Sequence, residues 1–154
     1  MTPDELVEIH AIERLKYRYA RCLDLKRWDE LRACFTKDAS AAYSGGKFSY
    51  DSPDGIIEFL STSLGKDMVS RHHVHQPEID LTGPDTATGT WALDDVVINT
   101  THHFEVRGAA FYTDEYVKVD GEWKIKHTGY KRIYEEMQDR TKLDGLTLLE
   151  SWTS

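Results

Sequence analysis

Three of the chain's seven histidines fall within SRHHVHQPEID, residues 70–80, at positions 72, 73 and 75. Imidazole titrates nearest to neutral pH of any side chain and is the commonest metal ligand. The stretch therefore suits a metal centre, a catalytic base with bystanders, or a polar strand. Side chains alternate along a strand. His73 and His75 then share one face, and His72, Val74 and Gln76 the other. A zinc site needs three or four converging ligands. His102-His103 could add to the set, but they read as loop and no cysteine lies near, so no metal is expected. One interior histidine held by a carboxylate is a simpler arrangement. The carboxylate sets the tautomer and raises the basicity of the free nitrogen, which makes a general base.

Further polar residues stand at positions where a plain core would be apolar. Tyr19 lies on the apolar face of a helical pattern; the alternative is a core tyrosine with a satisfied hydroxyl. Asp24 follows Cys22-Leu23 at that helix's end; the alternative is a pairing with Lys26 or Arg27. Asp95 shares a strand face with Trp91, Leu93 and Val97, while Asp94 points to solvent. A carboxylate there costs several kcal/mol unless it is paired. Arg132, two residues after Tyr130 at the end of the last long strand, is the candidate partner.

The elements that position these groups follow from periodicity. Thr2-Pro3-Asp4-Glu5 is a capping box with proline in the first turn. Ile12, Leu15, Tyr19 and Cys22 then form one helical face, and Trp28, Leu31 and Phe35 that of a second short helix. Ser52-Pro53 opens a third, with Ile56, Phe59 and Leu60 inward and Gly65 as its stop. After it, residues 67–82, 86–99, 106–119 and 122–134 read as long strands, with Asp120-Gly121 a hairpin turn. Shorter strands near 39–43 and 47–50 flank Gly45-Gly46. Helices followed by an antiparallel meander imply an α+β layer, with helices on one face of a curved sheet that encloses a pocket.

With 154 residues, 40% hydrophobic and 30% charged, the chain suits one domain over residues 1–154. Its net charge of -8 argues against non-specific nucleic-acid binding. There is no long apolar run, no signal segment and no nucleotide-binding glycine motif. The reading is cytosolic, with Cys22 and Cys34 as buried thiols.

Several stretches carry a family resemblance: YARCLDLKRWDEL, YSGGK, SPDGIIEFL, HQPEI, TATGTWALDD, GAAFYTDEYVKVDGEW and TGYKRIYEE, in order from about residue 10 to 136. The layout resembles the SnoaL-like branch of the nuclear transport factor 2-like superfamily. That branch includes scytalone dehydratase and hexachlorocyclohexane dehydrochlorinase. Within it the chain is most similar to the bile-acid 7α-dehydratases of gut bacteria. The resemblance implies a cone-shaped α+β barrel and carries the family's site onto Tyr19, Asp24, His72, Asp95 and Arg132. His73 and His75 would replace His72 if a strand bulge exchanged the faces.

The implied reaction is a cofactor-free loss of water from a 7-hydroxy-3-oxo-Δ4 steroid, carried as a coenzyme A thioester. His72, held by Asp24, removes the carbon-6 proton; Tyr19 or the newly charged His72 protonates the leaving hydroxyl. Asp95 and Arg132 fix the pocket, and Tyr43 and Tyr130 line it or touch substrate. A homo-oligomer, dimer or trimer, is also implied. The histidine stretch is richer than in the family, the 99–106 loop differs, and LDGLTLLESW has no counterpart. An eliminase or isomerase acting on another hydrophobic substrate and a non-catalytic binding module are the other function classes.

Overall fold

The computed structural model describes residues 1–151. Helix α1 runs over Pro3–Asp24 and opens on the expected capping box. The Thr2 side chain accepts from the Glu5 amide, and Glu5 accepts from the Thr2 amide. Ile12, Leu15, Tyr19 and Cys22 are all buried along it. Helix α2 spans Trp28–Arg32 only. Phe35, expected on its face, is instead the first residue of strand β1, Phe35–Tyr43. The Cys34 amide bonds to Leu31 O, so one tight turn separates the two elements. After the short strand β2, Phe48–Tyr50, helix α3 covers Pro53–Ser63, capped by Ser52. Ile56 and Leu60 are buried on α3, whereas Phe59 is only half-buried.

Four long strands follow: β3 (Met68–Gly83), β4 (Thr86–Asn99), β5 (Phe104–Val119) and β6 (Glu122–Asp139). β5 starts two residues before the expected 106, and β6 continues past 134 to Asp139, so Arg132 is mid-strand rather than terminal. Both extensions belong to one pairing, because Phe104 lies opposite Asp139. The sheet order is β2-β1-β6-β5-β4-β3, with every pair antiparallel except β1 with β6. Strands β2 and β3 are its edges, so this curved α+β sheet does not close on itself.

The core lies between the three helices and one sheet face. Cys22 and Cys34 are free and buried there, and burial pushes the Cys34 thiol up to about 11. Among the described residues, no helix is long and apolar enough to cross a membrane.

Candidate active site

The end of α1 brings Asp24 against β3. Asp24 Oδ1 accepts from His72 Nδ1 at 2.7 Å and from Ser70 Oγ at 2.8 Å, and Oδ2 accepts from the His72 amide at 2.8 Å. An ionised carboxylate can only accept. His72 therefore carries its proton on Nδ1 and presents the lone pair on Nε2. Lys26, the alternative partner of Asp24, donates instead to the carbonyls of Leu64 and Met68.

His72 and Val74 are half-buried, whereas His73 and His75 are exposed. β3 does carry a bulge: the register with β4 shifts between His75 and Glu78, where Gln76 has φ of 27°. Beyond it the half-buried positions become Ile79 and Leu81. The faces are thus exchanged, but only after the histidines, so His72 keeps the inward side. Histidines 102 and 103 sit in the β4–β5 turn, and no group of three or more metal-binding side chains occurs among the described residues.

Opposite His72 on β4 stands Asp95. It is 4% exposed and receives Arg132 Nη1 at 2.5 Å and Nη2 at 2.9 Å, the two-pronged geometry that suits guanidinium to carboxylate. Burial pulls the Arg132 pKa down, and the Asp95 bonds and charge more than reverse this, leaving it above the ordinary arginine value. Arg132 Nε lies 3.0 Å from Glu135 Oε2 but makes no hydrogen bond. Gly108 is the β5 residue facing Asp95. A Cβ there would overlap the Tyr134 carbonyl oxygen and stand 3.1 Å from Arg132 Nη1. Glycine leaves the space through which Arg132 reaches across β5.

From Arg132 a chain of contacts leads back to α1. The guanidinium lies 5.0 Å from the Tyr130 ring, Tyr130 is 5.7 Å from Tyr43, and the Tyr43 and Tyr19 hydroxyls are 3.0 Å apart. Burial pushes both phenols above the ordinary tyrosine range, Tyr19 most, with the Tyr112 and Tyr43 oxygens adding to it. Both hydroxyls therefore stay protonated as donors.

A cleft of about 1020 Å³ opens between α3, β2 and the open side of the sheet. Tyr130, Arg132, Met68 and Val97 line it on the sheet side, Phe48, Tyr50 and Phe59 on the other. Tyr43 packs against Phe59 at 5.8 Å. The cleft therefore meets the polar set at Tyr130 and Arg132. Tyr19, Asp24, His72, Asp95 and Tyr43 are not in its lining.

The profile of the SnoaL-like domain family matches residues 4–129. The chain belongs to the SnoaL-like domain family. A structure of a candidate scytalone dehydratase from Novosphingobium aromaticivorans is similar to this SnoaL-like domain at 27% identity and a TM-score of 0.82, over 88% of this chain and 91% of that one. A hexachlorocyclohexane dehydrochlorinase from Novosphingobium barchaimii matches at 20% identity and 0.80, over 96% and 97%. A candidate aromatic ring hydroxylase from N. aromaticivorans matches at 22% and 0.78, over 90% and 95%. At these last two identities the likeness is one of fold.

The SnoaL-like domain also holds a buried network that sequence reasoning did not pick out. Asp114 accepts from Lys16 Nζ at 2.7 Å, from Tyr116 at 2.7 Å and from Thr128 at 2.6 Å, and Trp91 Nε1 donates to the Tyr116 hydroxyl at 2.9 Å. A signal was present: position 16 lies four residues from Ile12 and three from Tyr19, and Asp114 alternates with Tyr112 and Tyr116. Only the residue types argued for solvent.

Proposed function

We propose that the protein is a cofactor-independent lyase that eliminates water from a hydrophobic polycyclic substrate, with His72 as general base. The observation that carries this reading is the Asp24–His72 pair. It accounts for a half-buried carboxylate, fixes the tautomer and leaves one basic nitrogen beside the Asp95–Arg132 clamp. The similarity to a candidate scytalone dehydratase supports the reaction class.

The substrate we propose is a 7α-hydroxy-3-oxo-Δ4 steroid, a bile acid or its coenzyme A thioester. Its support is the family resemblance of the sequence and the aromatic wall of the cleft. The enone acidifies the hydrogen on carbon 6, because the resulting anion delocalises onto the 3-oxo oxygen. His72 Nε2 takes that proton, and Asp24 stabilises the imidazolium. The bond from carbon 7 to oxygen then breaks. The leaving hydroxyl takes a proton from the Tyr19–Tyr43 hydroxyl pair and departs as water. The imidazolium returns its proton to the phenol, which restores the starting state. Arg132 and Asp95 fix the pocket beside the base, Tyr130, which lines the cleft, carries substrate contact, and Tyr43 packs behind it. The reading treats residues 1–154 as one domain and expects a homo-oligomer, which would cover apolar side chains exposed on β5 and β6 such as Phe111 and Met137.

The test offers the protein the steroid enone without cofactor and follows the longer-wavelength absorption of the 4,6-dien-3-one. The saturated 3-hydroxy analogue should be inert. Equal rates on both would refute proton abstraction. If neither reacts, with or without the thioester, the steroid assignment is wrong, and the corresponding chloride tests for a dehydrochlorinase on the same base.

A further inference from the structure

Lys16 is 0% exposed, although nothing in the elimination uses an amine. Its ammonium stands 3.6 Å from the centroid of the Tyr112 ring and 4.4 Å from that of Tyr19. Asp114 pairs with it at 2.7 Å, and it donates to Thr128 Oγ1 at 3.4 Å. A buried charge costs several kcal/mol unless it is paired, and apolar side chains of equal volume would often serve stability as well. Asp114 is further bound by Tyr116 and Thr128, so the anchor of Lys16 is itself fixed from β5 and β6. This end of the core spends one ion pair and three hydrogen bonds to hold one ammonium against two phenol rings. One of those rings, Tyr19, bears the hydroxyl bonded to Tyr43.

We propose that Lys16 is a positioning residue for the Tyr19–Tyr43 proton donor: anchored by Asp114, its ammonium fixes the Tyr19 ring and stabilises the charge that builds on it when the leaving group is protonated. A cation is attracted to the negative face of an aromatic ring, and more strongly when the site is desolvated. In the donor step a phenol O–H bond breaks, an O–H bond forms on the departing hydroxyl to give water, and the electron pair remains on the phenolate. Part of that negative charge spreads into the ring facing Lys16. Burial, the Tyr112 and Tyr43 groups and the Asp114 charge push the Tyr19 phenol upward; the ammonium at the ring face works against them. It touches neither substrate nor the transferred proton. The role rests on the dehydratase reading for its catalytic consequence, but not for the ring placement.

The test compares two leaving groups in the neutral pair Lys16→Met/Asp114→Asn, which removes both buried charges together. On the 7-hydroxy steroid, kcat should fall by about a hundredfold, the scale of a misplaced catalytic group, with KM unchanged. On the 7-chloro analogue, whose chloride needs no proton, kcat should stay at the wild-type level. An unchanged kcat on the hydroxyl substrate, or equal losses on both, would leave Lys16 a structural residue and overturn the proposal. If the pair does not fold, Thr128→Val, which removes one bond from the Asp114 anchor and leaves the ion pair in place, carries the same comparison. Ring signals of 13C-tyrosine protein, with Tyr19 assigned through Tyr19→Phe, test the placement without turnover. They should show two slowly exchanging edges for Tyr19 in the wild type and one averaged signal in the variant. Identical spectra overturn the proposal even where the wild type turns over neither steroid, an outcome that by itself refutes only the dehydratase reading.

Discussion

Removing Arg132 should cost far more than removing Asp95, although the two form one ion pair. Arg132→Met leaves a carboxylate that is 4% exposed and has lost both of its guanidinium donors. Breaking a buried pair from one side costs about 3–5 kcal/mol. In a chain of this size, 1 kcal/mol shifts the melting temperature by about 2–4 °C, so Arg132→Met should melt about 10 °C low. Asp95→Leu leaves a guanidinium whose side chain is 18% exposed and lies beside Glu135. Solvent and that neighbour compensate, and the cost should be about 1–2 kcal/mol. The double variant leaves no orphan charge and should recover most of the Arg132→Met loss. Urea and thermal unfolding of the four proteins measure the cycle. Additive losses would mean that the two residues do not interact in solution. A costlier Asp95→Leu would refute the burial argument.

His72→Ala should lose at least about a hundredfold in rate, the usual scale of a general base, while His73→Ala and His75→Ala keep most activity; a dead His73→Ala would show that the inward face is misassigned. Gly108→Ala should destabilise the fold and weaken the Asp95–Arg132 pair, because the Tyr134 backbone oxygen occupies the Cβ position; an unchanged melting temperature would contradict this. Bonds from Lys118 and Trp123 hold the Glu8 carboxyl below its ordinary value of 4.5. The unfolded chain then binds the extra proton first, so this contribution is present above that value and is lost as pH falls through the folded pKa. Stability of Glu8→Gln, followed by urea unfolding across that acid range, should fall less steeply with acid than the wild type, and parallel curves would sink the assignment.

Local rules made much of this legible. Thr2 and Ser52 announce their helices, because capping needs only the next three residues. Alternation placed His72 opposite in sense to His73 and His75, and put Asp95 among Trp91, Leu93 and Val97, because a pleated strand has a period of two whatever it packs against. An Asp inside an apolar face also implied a cation, and Arg132 was within reach by type. The pairing itself was not local. Arg132 reaches Asp95 across β5, which depends on a glycine at 108, on the register of three strands and on an extra residue in β6 between the partners of Ala109 and Ala110. The choice between Lys26 and His72 as partner of Asp24 was likewise settled by where α1 ends against β3, a contact separated by 48 residues. Lys16 and Asp114 are the sharpest case. Helical and strand periods put both inside, but residue type argued for solvent, and only their approach to 2.7 Å makes two buried charges tolerable. Amino-acid order determined which face each side chain takes; which faces meet, and so which charges neutralise one another, was decided by the packing of the helices on the sheet.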